Sequence, residues 1–269
     1  MTTLVLKLGG ELLESFEQRA QIAASCAAIA GRRPLVVVHG GGRAVDVELA
    51  RRGIAPKKVD GLRVTDAPTL EAVVAVLAGS SNTDLVAALV GAGVAAVGLT
   101  GVDAGFGRAV RSSAHRTASG AEADLGFVGD PVRPDPSLVS LLVERRYVPV
   151  IASLGIDGDA ILNVNADVMA CRLAAALGAD LVIAGATAGV LDADGRSIAR
   201  LDVDAIEDAI ADGTATAGMI AKLSACRAAL LDGVAEVRIV DGRALTRDRG
   251  PEVVPGTTLV AAPIAQETR

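Results

Sequence analysis

The chain has 269 residues, of which 51% are hydrophobic and 22% charged, and its formal net charge is −6. That composition excludes a disordered chain. The arginines are scattered among acids, with no basic run or aromatic stacking platform, which excludes a nucleic-acid binder. Aromatic residues are only 1%, so Ala, Val, Leu and Ile must pack the core, and the length suits one large α/β unit or two lobes.

The chain opens on a strand-like run with no secretory signal. No apolar stretch of about 18 residues is free of charge or glycine, so no membrane span is expected and a cytoplasmic location is. Short β-branched runs follow one another, each ending in glycine or a small polar residue: "TLVLKLGG" (3–10), "PLVVVHGGG" (34–42), "VAAVGLTG" (94–101), "YVPVIASLG" (147–155), "ADLVIAGATAGVL" (179–191) and "AEVRIVDG" (235–242). Helix-like stretches separate them. Continuous apolar strands alternating with helices predict a parallel sheet covered on both faces. Ligands of such a fold sit at the carboxyl ends of the strands, where these glycines fall. Two stretches break the alternation. Residues 107–136 predict a hairpin ending in a Pro-rich turn, laid over one edge, and "GIDGDAIL" (155–162) predicts a tight turn near Gly158. A βα series restarts near 177–180, which places a lobe boundary there: 1–178 and 179–269. Cys26, Cys171 and Cys226 lie in Ala/Leu-rich helical stretches and read as buried reduced thiols.

The glycine loops match no common nucleotide signature. There is no Gly-Lys pair for a Walker A loop. Gly40 and Gly42 begin a G-x-G-x-x-G, but Val45 occupies its third position, and Asp60 does not end an apolar strand. Two readings remain for Gly9–Gly10 and Gly40–Gly42: tight βα turns, or a phosphate cradle of bare backbone N–H groups. Lysine use favours the cradle. The four lysines stand against 22 arginines, and Lys7 and Lys222 lie in apolar stretches where a charge is costly unless paired. A compact ammonium suits a phosphoryl oxygen. Lys57 and Lys58 read as a solvated turn. "ILNVNADVMA" (161–170) reads as a strand entering a helix. It sets Asn163 and Asn165 on one side of the strand end and Asp167 in the first turn, either as a cap or as a carboxylate between two lysines. A calcium loop is excluded by Val168 and Ala174 at its sixth and twelfth positions. Arg63 in "VDGLRVTD" (59–66) is either a surface arginine or a carboxylate clamp.

Six stretches resemble the amino acid kinase family: "KLGG" (7–10), "VHGGG" (38–42), "VDGLRVTD" (59–66), "LGFVG" (125–129), "NVNAD" (163–167) and "GMIAK" (218–222). They stand in the family's order over nearly the whole chain. "VDGLRVTD" with "NVNAD" favours the acetylglutamate-phosphorylating branch over the carbamate, aspartate and uridylate branches. The resemblance implies an open three-layer αβα sandwich with a mostly parallel central sheet, an acyl-substrate lobe first and an ATP lobe second. It implies that Lys7 and Lys222 neutralise the transferring phosphoryl group and that Asp167 orients both. Backbone N–H groups of Gly10, Gly41 and Gly42 would hold phosphoryl and acceptor; Arg63, Asn163 and Asn165 would fix the acetylated amino acid. Mg²⁺ would arrive with ATP, held mainly by the nucleotide, with no metal site of the chain's own. His39 and His115 are then structural or surface residues. The chain carries Ala186 where the family has an acid and Val102 where it has a lysine. Kinases of related carboxylates (N-succinylglutamate, carrier-linked glutamate or aminoadipate) and a non-catalytic ligand-binding member are the alternatives. The family's N-terminal helix of arginine-inhibited hexamers has no counterpart, which implies an arginine-insensitive homodimer.

Overall fold

The computed structural model describes residues 2–112, 115–116, 120–192, 194–211 and 217–261. Among these residues the central sheet has eight strands: β1 (Leu4–Leu8), β2 (Leu35–His39), β3 (Ala96–Thr100), β4 (Val148–Ala152), β5 (Asp180–Gly185), β6 (Arg200–Asp202), β7 (Glu236–Asp241) and β8 (Gly256–Val260). Their spatial order is β6-β8-β7-β5-β1-β2-β4-β3. All neighbours are parallel except β7 and β8. The first strand is therefore central, with β2 on one side and β5 on the other, so the loops after all three strands meet at one place.

Among the described residues, eight α-helices connect and cover the sheet: α1 (Phe16–Ala30), α2 (Gly42–Arg51), α3 (Ala67–Val74), α4 (Asn82–Gly91), α5 (Ser137–Glu144), α6 (Ala166–Leu177), α7 (Val203–Ala211) and α8 (Ala217–Leu231). Strand alternation divides the core. Leu4, Leu6 and Leu8 pack with Ile22 and Cys26 of α1 and with Leu85 and Leu89 of α4. Val5, Val36, Val38 and Ile183 pack on the other face with α5, α6 and α8. Successive strand side chains point to opposite faces, so Lys7 shares the side of Val5, toward α6. All three cysteines are free and buried, as their helical settings predict.

Local sequence explains the helix ends near the cavity. Ser15 and Gln18 form a reciprocal capping box on α1, and Asp66 caps α3 by accepting from Thr69 N. The α3 helix does not stop at Val74. It widens to π geometry over Ala75–Ser81 and continues as α4. This run, Ala67–Gly91, is by length and composition long and apolar enough to cross a membrane, because the helix passes unbroken through Gly79. Its apolar side chains serve the fold: Val73, Val76 and Leu77 pack on α2, and Leu85 and Leu89 pack on α1 and the sheet.

A second sheet has the order 154–157, 160–164, 128–131, 109–111. The tight turn falls at Gly158, with φ of 59°. Residues 109–111 and 128–131 are antiparallel, as the hairpin reading predicts. The hairpin lies over the strand ends rather than over an edge, because 128–129 pair with 163–164 beside the cavity. The strands β6 and β8 were not expected; they are short and partly polar, without a continuous apolar run.

Candidate active site

The glycine loops after β1 and β2 touch. A Cβ added at Gly10 would lie 2.8 Å from the Cα of Gly41, so bare backbone is required there for the two strands to end side by side. A 3₁₀ turn starts at Gly10 and α2 starts at Gly42. Both present first-turn N–H groups without intrahelical partners, the usual setting for an anion. Added at Gly42, a Cβ meets nothing within 4 Å, because that face opens into a cavity of about 680 Å³.

Lys7 and Lys222 converge on Asp167 at this cavity. Lys7 Nζ lies 2.8 Å from Asp167 Oδ1, and Lys222 Nζ donates to Oδ2 at 2.8 Å. Burial alone would raise the Asp167 pKa, but the two lysine charges outweigh it and hold the carboxyl at about 2. Three charges in near-contact leave one net positive charge. Asp167 does not cap α6. Asn165 does, its Oδ1 accepting from Asp167 N at 2.8 Å and Val168 N at 3.3 Å. With the cap supplied one residue before the helix, the Asp167 carboxylate is left for the lysines.

Three of the sequence motifs are laced together by backbone. Thr65 N donates to Leu125 O, Phe127 N to Thr65 O, and Asn163 N to Phe127 O. Gly126 has φ of 75°, and a Cβ there would lie 2.3 Å from Thr65 O, which accounts for the glycine in "LGFVG". Asn163 Nδ2 donates to Thr65 Oγ1 at 3.1 Å. Asn163, Asn165 and Arg63 all line the cavity, with Lys7, Gly10, Gly41, Gly42 and Asp167. Every residue singled out for the site is thus at one cavity or, for Lys222, bonded to a residue of its wall.

Four further residues stand at the cavity or bonded to its wall without having been singled out as site residues in the sequence. Lys58, read as part of a solvated turn, lines the cavity and donates to Asp46 Oδ2 at 2.9 Å. Asp46 sits on an ordinary amphipathic helix that gave no signal. Glu11 lines the cavity beside Gly10, and its acid following a glycine pair was a readable cue. His115 lines the cavity and pairs with Asp60 at 2.9 Å. His39 is structural, as expected: buried, with Nε2 3.0 Å from the Asn82 amide, which also donates to Val150 O. Burial lowers its pKa to about 4, the bond to Gly40 O partly opposing.

Residues 2–241 match the model of the amino acid kinase family. The chain belongs to the amino acid kinase family. Among relatives of known name, it is 43% identical to the acetylglutamate kinase of Symbiobacterium thermophilum over 249 residues, 90% of this chain and 84% of the relative. The structure of smu.665 from Streptococcus mutans superposes with a TM-score of 0.79 at 28% identity, covering 97% of this chain and 99% of the other. The N-acetylglutamate synthase of Neisseria gonorrhoeae, complexed with coenzyme A and N-acetyl-glutamate, gives 0.81 at 25% identity over 98% of this chain. This chain spans only 60% of that synthase. As an amino acid kinase it shows the α/β architecture expected of it. Of its two departures, Ala186 follows β5, its carbonyl accepting from Arg243 Nη2 at 2.7 Å, and Val102 follows β3.

Proposed function

We propose that this kinase transfers the γ-phosphoryl group of ATP to the side-chain carboxylate of N-acetyl-L-glutamate, giving the 5-phosphate used in arginine biosynthesis. The observation that carries the reading is the Lys7–Asp167–Lys222 triad set beside the bare N–H groups of Gly10, Gly41 and Gly42. The name of its 43% identical relative supports the acceptor.

The chemistry suits the site. A carboxylate oxygen of the acceptor attacks the γ-phosphorus, and the bond to the β,γ-bridging oxygen breaks, leaving ADP and an acyl phosphate. The nucleophile is already an anion, so no general base is needed. Catalysis reduces to positioning and charge neutralisation. Lys7 and Lys222 supply the positive charge, Asp167 keeps them together, and the glycine N–H groups hold the phosphoryl oxygens. Arg63, Asn163 and Asn165 bind the acceptor. Asp167 is committed to two lysines, so Mg²⁺ finds no free carboxylate there and enters with ATP, held mainly by the phosphates and water.

The division of labour follows the chain: residues 1–178 carry the acceptor and residues 179–269 the nucleotide. The protein acts in the cytoplasm as a homodimer. Support for the dimer comes from β3, which has a sheet partner on one side only among the described residues, and from Val90 on α4, exposed to 56%.

The test is hydroxamate formation from ATP, hydroxylamine and a panel of acceptors: N-acetylglutamate, N-succinylglutamate, and carrier-linked glutamate and aminoadipate. Product with acetylglutamate foremost supports the reading. Preference for another acid reassigns the substrate. No product with any acceptor or nucleotide leaves a ligand-binding role, against which the intact triad argues.

A further inference from the structure

Glu11 is an acid at the mouth of a cavity otherwise arranged for anions. It is the second residue of the 3₁₀ turn that starts at Gly10, and it lines the cavity with Lys7, Gly10 and Asp167. Its carboxylate lies across the ends of β1 and β5. A Cβ added at Gly9 would fall 2.3 Å from Glu11 Oε1, and one added at Gly185 would fall 3.4 Å from the same oxygen. The two strands are parallel neighbours, joined beyond β1 by Gly9 N donating to Ala184 O at 2.8 Å. Neither Gly185 nor Ala186 brings a charge to this junction, so its carboxylate comes from the loop after β1.

That carboxylate is unpaired. The Glu11 side chain is exposed and makes no hydrogen bond or ion pair among the described residues. Arg243 lies within its field, but that guanidinium is already held by both oxygens of Asp241 and by Ala186 O. Glu11 also changes the charge balance of the cavity. Lys7 and Lys222 against Asp167 leave one positive charge, and Glu11 cancels it. On the proposed function the cavity receives a polyphosphate, and a bare polyphosphate would be repelled by a carboxylate at the same mouth. A divalent cation between the two turns repulsion into attraction. Mg²⁺ takes oxygen donors, keeps several waters and is commonly held by one or two carboxylates together with substrate phosphates. One free carboxylate beside a phosphate cradle fits that donor set.

We propose that Glu11 is the chain's contact to the Mg²⁺ that ATP carries, so that the site selects the metal-bound nucleotide over the bare one. This rests on the ATP reading and deepens it. The two lysines meet the phosphoryl group, and Glu11 meets its counter-ion.

The experiment is calorimetric titration of ATP, without acceptor, into the wild type, Glu11→Gln and Glu11→Asp, once with excess EDTA and once with excess Mg²⁺. For Glu11→Gln the expected result is a crossing. With EDTA it should bind ATP about fivefold more tightly than the wild type, because the repulsion is gone. With Mg²⁺ it should bind about fivefold more weakly, because the contact is gone; each change is the size of one exposed charge interaction. Glu11→Asp keeps the charge and should hold a Mg²⁺ preference closer to that of the wild type. Glu11 has no partner to lose among the described residues, so the melting temperature of unliganded Glu11→Gln should match the wild type. An equal Mg²⁺ preference in the wild type and Glu11→Gln overturns the proposal and leaves the nucleotide reading standing. A shift of the same sign with and without the ion also overturns it, because Glu11 then acts on the fold or on the nucleotide itself. Binding of ATP to neither protein under either condition overturns the nucleotide reading and the proposal with it.

Discussion

Lys7 on β1 and Lys222 on α8 each lie 2.8 Å from an oxygen of the same carboxylate, that of Asp167. The central strand and a helix from the last third of the chain thus deliver two charges to one point. On the proposed mechanism, replacing either lysine by alanine removes positive charge from the point where negative charge develops in transfer. Lys7→Ala and Lys222→Ala should each lower kcat by about 10²–10³-fold, with KM for acetylglutamate changed far less. Initial-rate kinetics checks this; a variant with near-normal kcat would remove that lysine from the mechanism.

Gly42→Ala separates chemistry from stability. The added methyl meets nothing within 4 Å and improves helix propensity at the start of α2, so the melting temperature should hold or rise. On the proposed mechanism the methyl stands in the phosphoryl space, and kcat/KM should fall by about 10²-fold. Gly10→Ala differs, because its Cβ would lie 2.8 Å from Gly41 Cα. It should lower both stability and turnover. Thermal melts beside steady-state rates decide the contrast.

Asn165→Ala removes the cap of α6. The expected loss is about 1 kcal/mol of stability, read from urea unfolding. It should also weaken acetylglutamate binding, because Asn165 lines the cavity. Asp167 then sits in an uncapped first turn, so kcat should fall as well.

His39 gives the fold a pH dependence of known sign. Its pKa is about 4 in the folded chain against an ordinary 6.5. Between these values the unfolded chain binds the extra proton, so stability falls as pH is lowered from about 6.5 through 4 and is untouched above. The full effect is about 3 kcal/mol. Urea midpoints from pH 8 to pH 4 should drop more steeply for the wild type than for His39→Gln. Parallel slopes would show that His39 does not titrate in this way. Asp167 acts lower: its depressed pKa stabilises the fold above the ordinary 3.8 and the effect is lost as pH falls toward about 2.

Much of the site was legible because its chemistry breaks a pattern. A lysine inside "LVLKL" and glycines at strand ends are anomalies against an apolar background, and both lead to the cavity. Asp46 was not legible, since a carboxylate on the polar face of a helix is the ordinary case. Lys58 looked like turn charge because its partner Arg63 is identified only by strand register. The parallel core was readable from its continuous valine and leucine runs. The strands at 200–202 and 256–260 were not, being short and half polar, and the reversal of β8 against β7 leaves no local mark.

The widened helical turns at Ala75–Ser81 have a further consequence. They set the angular phase between α3 and α4. With that phase, Leu77 packs beneath Gly41, where an added Cβ would lie 2.8 Å from its Cδ2. The same phase lets Asn82 reach His39 while Leu85 and Leu89 face α1. Winding all seven of these residues at the α pitch would instead turn everything after them by about 100° about the axis. The glycine loop would lose its floor and β2 its polar anchor, although no residue of the cavity's chemistry had changed. The support of the glycine loop and of β2 thus depends on how this stretch is wound, and a deletion that lets it return to the α pitch should disturb that support less than a one-residue insertion.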